Sequence, residues 1–173
     1  MVGIDESRVF KPLTLAILTV SDTRTTENDT SGDTLHTRAE RAGHHVKSRM
    51  LIRDDQAAIS RQIQDWANDP DIHVVLTTGG TGLTHRDVTP EAVRSVMDKE
   101  IEGFGELFRW ISYKLIATST IQSRALGALV GNTYVFALPG STGACKDAWD
   151  QILVYQLDSR HRPCNFAELL PRL

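Results

Sequence analysis

The sequence predicts one α/β domain: a doubly wound, mostly parallel sheet with helices on both faces. Three observations carry this expectation. Short apolar runs alternate with stretches of helical period through most of the chain, the pattern of crossover connections. The run Leu13 to Val20 is almost continuously apolar rather than alternating, as a strand covered on both sides requires. No repeat or long linker divides the 173 residues, a length within the roughly 100 to 200 residues usual for one domain. Residues 1–11 read as a flexible arm, and 158–173 as a tail without clear periodicity.

After the first strand, Thr30-Ser31-Gly32-Asp33 resembles a capping box ahead of a helix with Leu35, Ala39 and Ala42 on one face. Gly43 closes it in the left-handed conformation. A second strand, His45 to Ile52, ends at Arg53-Asp54-Asp55. Ile59, Ile63 and Trp66 mark the next helix, which Pro70 terminates. The clearest strand is Ile72 to Thr78, followed directly by Gly79-Gly80-Thr81-Gly82. Thr89-Pro90-Glu91 reads as N-cap, first helical position and acidic first turn, with Val93, Val96 and Met97 facing inward. Gly103 and Gly105 separate that helix from one carrying Leu107, Ile111 and Leu115. Ala125–Val130 and Thr133–Leu138 are two more strands joined through Gly131-Asn132, and Pro139-Gly140-Ser141 breaks the second. A last helix starts near Gly143, with Trp149, Ile152 and Leu153 inward. Trp66, Trp110 and Trp149 all read as packing residues.

Composition excludes several classes of function. The chain is 40% hydrophobic and 24% charged, enough for one full core. A net charge of −3 argues against broad capture of nucleic acid or acidic membranes. No apolar run approaches the roughly 20 residues of a bilayer span. The start lacks the basic-then-apolar order of a signal peptide, so the expected compartment is the cytoplasm. Cys145 and Cys164 lack metal-ligand spacing and read as reduced thiols. His44 and His45, being adjacent, point in different directions and make a poor metal pair.

In open parallel sheets, ligands bind beyond the carboxyl ends of the strands. Four strand ends carry unusual loops: Ser21-Asp22-Thr23, Asp54-Asp55, the Gly79–Gly82 loop and Pro139-Gly140-Ser141. The glycine loop can bring bare N–H groups against an anion, with Thr81 and Thr84 adding hydroxyls. It matches neither GxGxxG, since position 85 is His85, nor a Walker loop. A plain strand-to-loop turn is its bland alternative. Asp87 precedes a helix start, where a carboxylate can merely favour the positive helix end. Asp54 and Asp55 can likewise be helix caps, and Ser21 and Asp22 turn formers. Two acidic positions beside a phosphate-type loop nonetheless suit Mg²⁺, which takes few carboxylates together with phosphate oxygens and water. Arg124 is either a phosphate clamp or an exposed ion pair.

Several motifs appear in a fixed order: Thr19-Val20-Ser21-Asp22, Asp29-Thr30-Ser31-Gly32, Thr77-Thr78-Gly79-Gly80-Thr81-Gly82, Asp87-Val88-Thr89-Pro90-Glu91-Ala92, Gly103-Phe104-Gly105-Glu106 and Leu138-Pro139-Gly140-Ser141. Together they resemble the MoaB/MogA family of molybdenum-cofactor biosynthesis proteins, from about Leu13 to Phe166. Gln156-Leu157-Asp158 and Arg162-Pro163-Cys164-Asn165-Phe166 are similar to the MoaB branch. The resemblance implies a molybdopterin-binding fold assembled as a trimer or dimer of trimers. It also implies adenylyl transfer from Mg-ATP to the molybdopterin phosphate, with the product passed to a molybdate-inserting enzyme.

Carried over by position, Asp87 matches the family's essential aspartate and Asp54 its second acidic site, the two tentative Mg²⁺ ligands. Ser21, Asp22, the Thr78–Gly82 segment, Thr84 and Pro139-Gly140-Ser141 fall on the pterin and nucleotide rim, together with Ser31, Gly32, Ser123 and Arg124. Two rivals remain: a non-catalytic molybdopterin carrier or oligomeric scaffold, and an unrelated phosphosugar- or nucleotide-binding domain.

Overall fold

The computed structural model describes residues 2–173. In chain order its elements are β1 (Gly3–Ile4), β2 (Thr14–Val20), α1 (Thr30–Arg41), β3 (His45–Ile52), α2 (Gln56–Ala67), β4 (Val74–Thr78), α3 (Thr89–Arg94), β5 (Lys99–Ile101), α4 (Glu102–Ile116), β6 (Leu126–Val130), β7 (Thr133–Leu138), α5 (Thr142–Ala148), α6 (Val154–Gln156), β8 (His161–Arg162) and α7 (Phe166–Leu169). A π-helical turn, Trp149–Leu153, joins α5 to α6.

Six strands form the central sheet in the order β3-β2-β4-β7-β6-β5. The first four run parallel, β6 lies antiparallel to β7, and β5 antiparallel to β6. Alternate residues of each inner strand feed opposite layers. Leu15, Ile17, Val74, Leu76, Phe136 and Leu138 pack with α1, α4 and α5. Ala16, Leu18, Val75, Val135 and Ala137 pack with α2 and α3. Burial on both faces is why these strands read as continuous apolar runs. From β2 the chain steps outward to β3, then crosses back to β4 on the other side. The strand order therefore reverses between β2 and β4.

Several local expectations change. The cap of α1 is Asp29 rather than Thr30, its carboxylate accepting from Gly32 N at 2.9 Å. Thr89 lies inside α3 and Val88 precedes it, because the Thr89 hydroxyl donates to the Gly79 carbonyl at 2.9 Å instead of capping. The short, polar β5 went unrecognised, and α4 starts before both glycines rather than after them. Its buried side carries Phe104, Phe108 and Ile111, whereas Leu107 and Leu115 are exposed. Trp110 is 59% exposed and is not a core residue; the Lys114 ammonium sits 3.5 Å from its ring centroid. The N-terminal arm is tied down where Gly3–Ile4 pairs with His161–Arg162. In the tail, Phe166 packs on Tyr134 and Phe136. No helix among the described residues is long and apolar enough to cross a membrane.

His44 is buried beside Phe10 and Trp149, and its Nδ1 accepts from Leu13 N at 3.2 Å. Burial pushes its pKa down to about 4, against a weaker opposing pull from Asp158. The unfolded chain therefore takes up this proton first as pH falls. Stability present above about pH 6.5 declines towards pH 4, by roughly 3 kcal/mol from this group. His44→Asn keeps an acceptor near Leu13 N but cannot titrate in this window. Its urea midpoint should fall less than the wild type's over the same pH range; parallel acid sensitivity of the two proteins would refute the assignment.

Candidate functional site

A cleft of about 510 Å³ opens at the carboxyl ends of β4 and β7, between α4 and α5. Its size lies within the roughly 300 to 1,000 Å³ usual for small-molecule sites. The floor is the Gly79–Gly82 loop and Pro139-Gly140-Ser141, with Asp87 and Ser123 at one side. Gly79 and Gly80 both have positive φ, 104° and 63°, which turns the chain sharply off β4. Thr89 fixes this turn, its amide donating to Gly80 O at 3.0 Å and its hydroxyl to Gly79 O. Ser141 caps α5 by accepting from Ala144 N at 3.1 Å. Buried Thr78 donates to Pro139 O at 3.1 Å and joins the two loops from below.

Other expected residues surround the cleft without lining it. Buried Ser31 and Gly32 sit at the start of α1, where Arg24 bonds the Ser31 hydroxyl and donates to Gly140 O at 2.7 Å. Arg24 thus braces the Gly140 loop, a role no motif signals. Ser21 accepts from the amides of Thr23 and Arg24, so it shapes the turn. Asp22 forms a two-pronged pair with Arg86 at 2.8 and 2.9 Å. Thr84 donates its amide and hydroxyl to Asp87 Oδ2 at 2.8 and 2.7 Å. Arg124 donates to Gly82 O at 2.8 Å and Asp87 O at 2.7 Å, and also pairs with Glu91. Its guanidinium braces the glycine loop from outside.

The decisive comparison concerns the whole chain. Residues 16–159 match the family described as a probable molybdopterin binding domain. The chain belongs to this family. It is 50% identical over 160 residues to molybdenum cofactor biosynthesis protein B of Escherichia coli K12, covering 92% of this chain and 94% of that protein. A crystal structure of a molybdenum cofactor biosynthesis protein B superposes with a TM-score of 0.88 at 42% identity, covering 96% of this chain and all of that one. The tungsten cofactor synthesizing protein MoaB of Pyrococcus furiosus gives 0.73 at 33% identity, covering 83% of this chain and 91% of its own.

Within this molybdopterin-binding domain, three rim carboxylates differ in state. Asp55, not Asp54, caps α2, accepting from Ala58 N at 2.7 Å. Asp54 is left for other work. Burial raises its pKa above the ordinary value, and the charges of Asp22 and Asp87 raise it further, outweighing Arg86 and the Asp22 amide. For Asp87, burial pushes upward, but the Thr84 hydroxyl and amide, the Gly82 amide and Arg124 prevail and hold it below the usual range. Asp87 is therefore held in its ionised form, while burial and the neighbouring Asp22 and Asp87 disfavour charge on Asp54. A cation beside both would offset that repulsion. No cluster of three or more metal-type side chains exists among the described residues. Two carboxylates with open coordination positions fit Mg²⁺, which keeps several waters and takes phosphate oxygens.

Sequence reasoning missed the other half of the cleft: Phe108, Ser112, Leu115 and Ile116 from α4, Gln122, and Gly143, Ala144 and Asp147 from α5. Spacings such as 108, 112 and 115 mark one helix side, but they do not say whether it meets core or ligand. Cys145 sits behind this wall, buried, its thiol pushed up to about 11 by burial and thus inert at neutral pH.

Proposed function

We propose that this protein acts in molybdenum cofactor biosynthesis by binding molybdopterin in the cleft and adenylylating its phosphate with Mg-ATP. The observation that carries this reading is the meeting of the glycine loop with two carboxylates: Asp87 lines the cleft with it, and Asp54 Oδ1 lies 2.8 Å from where a Cβ on Gly80 would stand. A phosphate oxygen of molybdopterin attacks the α-phosphorus of ATP, the bond from that phosphorus to the bridging oxygen breaks, and pyrophosphate leaves. The nucleophile is already anionic, so no strong base is needed; the difficulty lies in bringing anions together. Backbone amides of Gly80 and Thr81 hold phosphate oxygens, since that of Gly79 is taken by Leu138 O and that of Gly82 by Asp87. Asp54 and Asp87 would hold Mg²⁺, which would neutralise charge on the phosphates. The exposed side of α4, with Leu107, Trp110 and Tyr113, supports a homo-oligomer, a trimer or dimer of trimers. The adenylylated product passes to a molybdate-inserting enzyme.

One observation favours the carrier reading: among the described residues no lysine or arginine lines the cleft, and Arg24, Arg86 and Arg124 are engaged elsewhere. Pyrophosphate release from ATP and Mg²⁺, measured with and without molybdopterin, separates the two. Molybdopterin-dependent release supports transfer; tight molybdopterin binding without release supports the carrier.

Asp54→Ala is expected to raise the Mg²⁺ concentration needed for half-maximal release by about tenfold or more. Unchanged Mg²⁺ dependence in a folded variant would count against its role.

A further inference from the structure

One side of the cleft floor rests on a charged network that lies outside the cleft lining. Asp29 is its hub, 5% exposed at the start of α1. Its Oδ1 accepts from Gly32 N at 2.9 Å and from the Ser31 hydroxyl at 3.3 Å. Its Oδ2 accepts from the Thr19 hydroxyl at 2.6 Å and from Arg49 of β3 at 3.4 Å. Arg24 Nη1 stands 3.6 Å from Oδ1, beyond hydrogen-bond reach. Asp29 therefore orients the Arg24 guanidinium, while its own lone pairs and part of its charge are taken by other groups. Arg24 directs its donors to the Ser31 hydroxyl and to Gly140 O, the latter at 2.7 Å.

The Gly140 carbonyl is one end of a peptide unit whose other end is the Ser141 N–H. This bond is trans, so the N–H points opposite to the carbonyl and away from Arg24. Ser141 lines the cleft, and its amide donates to no group among the described residues. A cation donating to the carbonyl draws electron density along the peptide and strengthens the N–H as a donor. We propose that Arg24 is a positioning residue that acts through this peptide: its charge makes the Ser141 amide a seat for a phosphate oxygen. The proposal rests on the reading above that the cleft takes phosphorylated ligands. Positive charge thereby reaches the floor from one peptide behind it, although among the described residues no lysine or arginine lines the walls. A purely mechanical brace would need only a hydrogen bond to Gly140 O, and no charge.

The test compares wild type, Arg24→Gln and Arg24→Lys in the full chain. Lysine keeps the positive charge beside Gly140 O, whereas glutamine keeps a donor without charge. Melting curves establish that each variant is folded. Affinities for molybdopterin and for Mg-ATP are measured separately by calorimetry, which tells the two sources of phosphate apart. Arg24→Gln should weaken one of them about tenfold, and Arg24→Lys should recover most of that loss. The Ser141 amide nitrogen resonance should move in Arg24→Gln and return towards its wild-type position in Arg24→Lys. In turnover, KM should rise with kcat nearly unchanged, as loss of ground-state binding requires. Wild-type affinities in folded Arg24→Gln, or Arg24→Lys as weak as Arg24→Gln, overturn the proposal. Failure of the adenylyl-transfer reading looks different: no pyrophosphate is released, while the affinities still rank the three proteins.

Discussion

Asp87→Ala is expected to lower molybdopterin-dependent pyrophosphate release by roughly 10³-fold or more while leaving molybdopterin bound, in line with loss of an electrostatic group at a reacting centre. Asp87 lines the cleft and is held in its charged form by Thr84, the Gly82 amide and Arg124. On the proposed reading, removing it takes away one of the two carboxylates that would hold Mg²⁺ and leaves Asp54 alone. The fold should tolerate the change, because Thr84, which loses an acceptor, is solvent-exposed and can turn to water. Asp87→Asn refines the result: a carboxamide oxygen can still accept from Thr84 but carries no charge. If both variants are inactive and still bind molybdopterin, charge is the requirement. Undiminished release by folded Asp87→Ala would remove Asp87 from the chemistry.

The fold was legible where burial acts on both sides of an element. Residues 13–20 and 72–78 read as inner strands because alternate side chains enter two different cores. At the sheet's far edge the signal disappears. Lys99–Ile101 is short, polar and partnered on one side only, by Leu129 to Gly127, so nothing in its sequence separates it from a loop. On α4 the period was visible but its phase was not, since apolar residues occur on both the core side and the outer side. Trp110 looked like packing for that reason. The rim loops were easier, because three glycines within residues 79–82 and the Pro139-Gly140 break end their strands sharply. Bracing residues such as Arg24 carry no local mark. Arg24 reaches Gly140, distant in sequence, and only the folded chain brings them together.

Gly79→Ala should be strongly destabilising for a single added methyl group. The residue has φ of 104°, and an added Cβ would lie 2.1 Å from the Val20 carbonyl oxygen at the end of β2. It cannot move away freely. Its amide donates to Leu138 O at 3.0 Å, tying it to β7, and its carbonyl accepts from Thr89 at the start of α3. Relief of the clash must therefore stretch the β2 end, the β7 contact or the α3 start, all of which shape the cleft floor. Strain of this kind costs about 3 kcal/mol or more. For a chain of this size, that lowers the melting temperature by roughly 6 to 12 °C. Gly103→Ala is the matched control: it lies in α4, and an added Cβ meets nothing within 4 Å. There the extra methyl should be neutral or stabilising by about 0.5 kcal/mol through helix propensity. The Gly79→Ala melting curve should shift well below wild type, and that of Gly103→Ala should match or slightly exceed it. A Gly79→Ala protein that melts with wild type would mean that the loop has another conformation open to it, and the glycine pair would lose its claim to shape the anion seat.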